Sequence, residues 1–260
     1  MKSVISYLGG KSRLAKQIIN VMPKHETYVE PFCGAAWVFF AKPPSNGEIL
    51  NDANGELVNF WRVIQNHRDE MIDSLQYAVH SRMIFDIIKK QDPTTLTDIQ
   101  RAVRFYSLQC MCFGGKTAGQ SHGVSKGRIP RLSRVRAERD IETAHERIAN
   151  AHIENLDGLE CIRRYDGPDV LFYIDPPYFG CENDYAVKWP RARFQELNDR
   201  LTGIKGRFIL SLNDRKEVRD IFGNLHFKPV SVGYSVGKTA ASRAPARGEL
   251  LISNFRLRSR

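Results

Sequence analysis

Residues 170–178 read Val170-Leu-Phe-Tyr-Ile-Asp-Pro-Pro-Tyr178. Five apolar residues in a row suit a parallel strand buried on both faces. The first polar residue after them, Asp175, falls at a carboxyl end, where open α/β sheets hold their ligands. Pro176 and Pro177 stiffen the turn and remove two N–H donors, leaving carbonyl oxygens outward. Tyr178 adds a flat face. A carboxylate acceptor, a carbonyl acceptor and an aromatic plate together suit an exocyclic amino group on a planar ring. Asp-Pro-Pro is also an ordinary strand-to-loop turn, and these four residues alone leave both readings open.

The α/β rhythm continues on either side. Upstream, residues 27–30 read as a short strand, 31–34 as a turn, 35–41 as a helix start, 43–47 as a loop and 48–52 as a second strand ending in polar residues. Downstream, residues 208–212, 227–236 and 249–255 read as strands, the last two joined by the basic, small-residue loop 237–248. Strand, glycine turn, helix and strand open a Rossmann-like α/β unit. Residues 60–150 instead carry apolar side chains at three- and four-residue spacing, such as Ile84, Ile87 and Ile88, a helical pattern. Within them, residues 112–139 are rich in glycine and cations and too irregular for one helix or strand. The simplest architecture is one α/β domain, residues 1–59 and 151–260, split by a mainly helical insert, residues 60–150.

A second glycine-containing stretch, Ser6-Tyr-Leu-Gly-Gly-Lys-Ser12, ends like a triphosphate-binding loop. That loop needs G-x-x-x-x-G-K-[ST] so that backbone N–H groups wrap the phosphates. Counting back from Gly10, the position that needs glycine is Ile5. A nucleotide triphosphatase is a distant reading.

With 39 Lys and Arg against 29 Asp and Glu, the net charge of +10 favours a polyanionic partner without choosing among DNA, RNA and an acidic membrane. No apolar run approaches membrane-spanning length. The N-terminus lacks the apolar core of a secretory signal, so the expectation is a protein that stays in the cytoplasm where it is made. Five scattered cysteines (Cys33, Cys110, Cys112, Cys161, Cys181) predict reduced thiols in the core. Cys110-x-Cys112 has no second pair to complete a metal site, so no metal is expected.

Four segments in order tie these parts together: Tyr7-Leu-Gly-Gly-Lys11, Val29-Glu-Pro-Phe-Cys-Gly34, Asn51-Asp-Ala-Asn54 and Asp175-Pro-Pro-Tyr178. In order and spacing the chain resembles the Dam-like (D12, class α) DNA adenine-N6 methyltransferases. Cys112-Phe-Gly-Gly-Lys116 is similar to a phage and prophage branch of that family. The resemblance implies a Rossmann-like fold for S-adenosyl-L-methionine-dependent methyl transfer, with a mixed sheet whose last strand is antiparallel and an inserted target-recognition domain. It implies a monomer in a bacterial or phage-infected cell, with double-stranded DNA as partner. It assigns the cofactor pocket to Tyr7, Gly9, Lys11, Glu30, Phe32, Gly34, Asp52 and Asp175, and catalysis to Asp175, Pro176, Pro177 and Tyr178. Asp52 suits ribose hydroxyls, whereas Asn51 to Asn54 could equally cap the next helix. Many relatives carry F-x-G-x-G; here the second glycine is Ala36.

An insert between two halves of a base-modifying fold suits phosphate and base-edge contacts. Its candidates are Lys116, Gln120, His122, Lys126, Arg128, Arg131 and Arg134, with Arg136 and Arg139 extending the run. Tyr185 and Trp189 either close over the pocket or pack in the core. A carboxylate with an ordinary pKa near ~4 cannot deprotonate a neutral arylamine. Asp175 and the Pro176 carbonyl instead accept its N–H bonds and stabilise positive charge as the methyl arrives. The rivals are a different amine acceptor (cytosine N4, an RNA base or a protein amide) and a DNA-binding remnant without catalysis.

Overall fold

The apolar runs become strands. The computed structural model describes residues 1–123, 130–180, 188–230 and 248–258. In it β1 is Thr27–Glu30, β2 Gly47–Asn51, β3 His152–Glu154, β4 Val170–Ile174, β5 Arg207–Asn213, β6 His226–Val230 and β7 Glu249–Ser253. The strand missing from the sequence reading is β3, whose three residues are too few to show an alternating period. Residues 231–236, expected to extend β6, lie outside the described residues, as do Lys126, Arg128, Cys181, Tyr185 and most of the loop 237–248.

Among the described residues the strands form one sheet in the order β3-β2-β1-β4-β5-β7-β6. The first five run parallel, and β7 inserts antiparallel to both β5 and β6. The mixed sheet with an antiparallel last strand is thus as expected. Alternation along β4 divides the core: Leu171 and Tyr173 enter one apolar cluster, Phe172 and Ile174 the other. The second cluster is closed by α8 (Gly158–Tyr165), α9 (Ala192–Thr202) and α10 (Lys216–Ile221). The first holds α1 (Ala15–Ile19), α2 (Trp37–Ala41) and the insert helices.

Those helices are α3 (Gly55–Asn66), α4 (Arg68–Ser74), α5 (Arg82–Lys90), α6 (Asp98–Met111) and α7 (Arg134–Ile148). Helix α3 begins where Asn54 accepts from the Glu56 N–H, and it runs through residue 60, so chain passes from sheet to insert on one helix. Phe60 and Trp61 on α3 and Tyr106 on α6 are fully buried. Burial of such a side chain contributes about 1.5–3 kcal/mol. Residues 134–139, expected to be irregular, are helical. Ala137, Ile141, Ala144 and Ile148 recur at helical spacing and are buried, and that stripe outweighs the cations between them. Cys33, Cys110, Cys112 and Cys161 are buried free thiols. No helix among the described residues is long and apolar enough to cross a membrane.

Candidate active site

From β1 the chain winds to β2 and β3 on one side of the sheet, then returns to β4 and β5 on the other. Ligand crevices form at such a switch point, outside the carboxyl ends of the strands. A cavity of about 1110 Å³, its open mouth included, lies there. It is lined from the N-terminal segment (Tyr7, Gly9, Lys11), the ends of β1, β2 and β4 (Glu30, Asp52, Asp175), the start of α8 (Asp157, Gly158) and the segment before α9 (Trp189).

The turn after β1 is held from several directions. Gly34 has φ +47°, and a Cβ there would lie 3.1 Å from the Tyr7 ring, so both the backbone and the neighbour call for glycine. Its N–H donates to Asp52 Oδ2 at 3.0 Å, and Asn54 N–H donates to Oδ1 at 2.9 Å. Burial pushes the Asp52 pKa up, and these two N–H groups pull it back. Each oxygen keeps further acceptor capacity toward the cavity. Asn54, not Asp52, caps α3. Asn51 Nδ2 donates to the carbonyls of Pro31 and Leu156, stitching the loops after β1 and β3. The Phe32 ring lies so close to Gly158 that a Cβ there would meet it at 2.2 Å. Trp189 packs edge-on against Phe32 with ring centroids 5.1 Å apart.

Glu30 is buried and accepts from the Tyr28 hydroxyl at 2.7 Å and the Phe39 N–H at 2.8 Å. Desolvation pushes its pKa up to about 8 against the pull of those donors. At the end of β4, Lys11 Nζ donates to Asp175 Oδ1 at 2.6 Å and to the Gly9 carbonyl at 3.0 Å. The Asp175 pKa is pushed up to about 6, mainly by burial and further by Glu249, while Lys11 pulls it down. Burial works against the Lys11 ammonium, but Asp175, Tyr173 and Glu249 together more than compensate, and its pKa is raised. Tyr178 lies with its ring centroid 4.7 Å from Lys11 Nζ and its hydroxyl on Glu249. A half-buried carboxylate, a fixed ammonium and an aromatic ring thus meet at one rim of a cavity that Asp52 also lines.

A family model described as D12 class N6 adenine-specific DNA methyltransferase matches residues 7–233, most of the chain and all four segments around this cavity. The chain belongs to that family. Its relatives include the Type II methyltransferase M.CviBI of Paramecium bursaria Chlorella virus NC1A, 23% identical over 87% of this chain and 88% of its own length. The Type II methyltransferase M1.LlaDCHI of Lactococcus lactis subsp. cremoris is 25% identical over 98% and 96%. The DNA adenine methylase of Salmonella typhi is 25% identical over 93% and 91%.

In this D12-class enzyme the residues expected for the cofactor, from Tyr7 to Asp175, all border one cavity. Pro177 lines it as well, whereas Pro176 is buried and Tyr178 stands just outside the lining. Trp189 both borders the cavity and packs in the core, combining the two readings weighed for it. The insert candidates do not gather so closely. Arg131 and Arg134 are exposed, and Arg131 donates to the Ser6 hydroxyl. Gln120 donates to the Lys116 carbonyl at 2.9 Å. His122 turns to His80 and Phe85, at 5.5 Å between ring centroids, with both ring nitrogens buried. Sequence reasoning missed Glu249 and Asp157. The latter caps α8, a role its position before Gly158-Leu-Glu-Cys could have signalled.

Proposed function

We propose that the cavity between β1 and β4 is the methyl-transfer site of this DNA adenine-N6 methyltransferase, with S-adenosyl-L-methionine as donor and a flipped-out adenine of double-stranded DNA as acceptor. The observation that carries the reading is Asp175: a half-buried carboxylate at the end of β4, one oxygen fixed by Lys11, on the rim of that cavity.

The residues present fit the cofactor. Asp52 offers acceptors for ribose hydroxyls, and the Trp189 indole N–H is buried without a partner among the described residues. Tyr7, Gly9, Phe32 and Glu30 would complete its pocket. When bound, S-adenosyl-L-methionine supplies a methyl group made electrophilic by its sulfonium centre. The protein's part is positioning and charge. Lys11 holds Asp175 Oδ1, which leaves Oδ2 and the Pro176 carbonyl for the two N–H bonds of the adenine amine. Flipping the base costs a few kcal/mol. Stacking on Tyr178 returns about 1–3 kcal/mol of that. Residues 60–150 serve as the target-recognition insert of a cytoplasmic monomer, with Lys116, Gln120, Arg131 and Arg134 as its DNA contacts and Lys126 and Arg128, outside the described residues, as further candidates; His122, packed against His80 and Phe85, is not among them.

The test is methyl transfer from labelled S-adenosyl-L-methionine to unmethylated genomic DNA, with modified bases mapped by single-molecule sequencing. The expected result is N6-methyladenine with the native protein, and loss of turnover in Asp175→Ala with DNA affinity kept within about threefold. Native-level methylation by that variant would reject the assignment.

A further inference from the structure

Strand β7 begins with a buried acid. Glu249 is 5% exposed, although Leu250, Leu251 and Ile252 beyond it are wholly apolar core. Isolating a carboxylate there is costly unless it is paired and hydrogen-bonded. Its partners among the described residues are all donors: the Tyr178 hydroxyl at 2.5 and 2.6 Å from its two oxygens, Ser211 Oγ at 2.6 Å and Lys11 Nζ at 3.5 Å. Sheet register accounts for the reach. Glu249 pairs with Asn213 at the carboxyl end of β5, which sets its side chain beside the loop that follows β4.

The charges at this rim explain why an acid stands there. Asp175 and Lys11 form a tight pair at 2.6 Å with no net charge, so Lys11 offsets much of the attraction that Asp175 exerts on a positive charge beside it. A neutral pair gives little help to a neighbouring amine that is gaining positive charge. Glu249 restores one negative charge in excess, beside Lys11 and turned away from the cavity, where it is not among the lining residues.

We infer that Glu249 is a positioning residue for methyl transfer: it fixes the Tyr178 ring through the hydroxyl and offsets Lys11 so that Asp175 meets the target amine with its negative charge undiminished. This rests on the reading of Asp175 as the group that receives the amine. The groups facing Asp175 are Lys11 from the N-terminal segment, Tyr173 on β4, Glu30 on β1 and Glu249 on β7. Of these Glu249 and Lys11 act in opposition, so removing the acid shifts the balance toward Lys11 and eases ionisation of Asp175.

The experiment compares Glu249→Gln, Tyr178→Phe and Asp175→Asn in single-turnover methylation from pH 5 to 9, with melting midpoints as a check of folding. Glu249→Gln is expected to lower the rate roughly 30- to 100-fold with KM for DNA nearly unchanged. Its acid limb should move down by about one pH unit. Tyr178→Phe should lose less and keep the native acid limb. A Glu249→Gln protein with the native rate, or with a loss equal to that of Tyr178→Phe and an unmoved limb, would overturn the inference. An active Asp175→Asn would instead remove the reading beneath it. Should Glu249→Gln fail to fold, Glu249→Asp keeps the charge: the inference requires the native acid limb and a rate no lower than that of Tyr178→Phe, and a folded but inactive Glu249→Asp would contradict it.

Discussion

Glu30 ends β1 with its carboxyl buried and its pKa pushed up to about 8 by desolvation. The unfolded chain releases that proton near the ordinary 4.5. Between these values the folded state binds more protons, so this residue's contribution to stability is complete below pH 4.5 and is lost as the pH climbs through 8. Glu30→Gln keeps the carbonyl that accepts from Tyr28 and Phe39 and removes the titration. Urea unfolding at pH 5, 7 and 9 should show the variant gaining on the native protein as pH rises, by about 1–3 kcal/mol at pH 9. Parallel curves would mean that Glu30 is already ionised in the fold. At this scale the sequence was informative where a residue type sits in a motif. Asp175 follows an apolar run and Asp52 ends one, so both were legible. Glu249 was not: it opens an apolar run instead of closing one, and its role depends on the register of an antiparallel strand that a single sequence does not specify.

The turn between β1 and α2 shows how far an element tolerates a changed residue. Ala36 occupies the left-handed region at φ +51°, the one described non-glycine residue to do so, and is buried at the N-cap of α2. That conformation costs an alanine roughly 1–2 kcal/mol. Replacing it with glycine relieves the strain but gives up about 0.8 kcal/mol for one buried methyl and about 0.5–1 kcal/mol of backbone entropy. The terms nearly cancel, so Ala36→Gly should change unfolding free energy by less than about 1 kcal/mol. Gly34→Ala has no such compensation: it adds left-handed strain and presses on Tyr7. A loss of about 1–3 kcal/mol is expected, together with weaker binding of S-adenosyl-L-methionine by calorimetry. Equal effects of the two substitutions would refute the argument. The same balance of local and tertiary terms decided which elements the sequence disclosed. Strands β4 and β5 announce themselves as apolar runs and β1 and β2 as short strands around a glycine turn, whereas β3 exists because β2 offers it an edge. Helix α7 was obscured by its arginines, since the buried stripe of Ala137, Ile141, Ala144 and Ile148 contains two residues small enough to pass unnoticed.

Across the whole molecule the sheet separates two helical layers. The net charge of +10 is a property of the whole chain, so the total alone does not say which layer meets DNA. The insert helices share a core with one face of the sheet, and α8 to α10 cover the other. Arg131 and Arg134 are exposed on the insert, whereas Arg163 on α8 is paired with Glu160 at 2.6 Å. An arginine that neutralises a phosphate releases a condensed counterion, and each such contact contributes about 0.9 to the slope of log affinity against log salt. If the insert carries the DNA, Arg131→Ala and Arg134→Ala should each flatten that slope by about one and weaken binding similarly on any sequence. Arg163→Ala should leave the slope as it is, because Arg163 lies on the layer away from the insert and its charge is already paired with Glu160 on the same helix. The measurement is affinity for a duplex between 50 and 300 mM salt, by fluorescence anisotropy. A change confined to Arg163→Ala would put the DNA on the α8 to α10 face, more than a sheet's thickness from the insert, and would leave residues 60–150 without the role proposed for them.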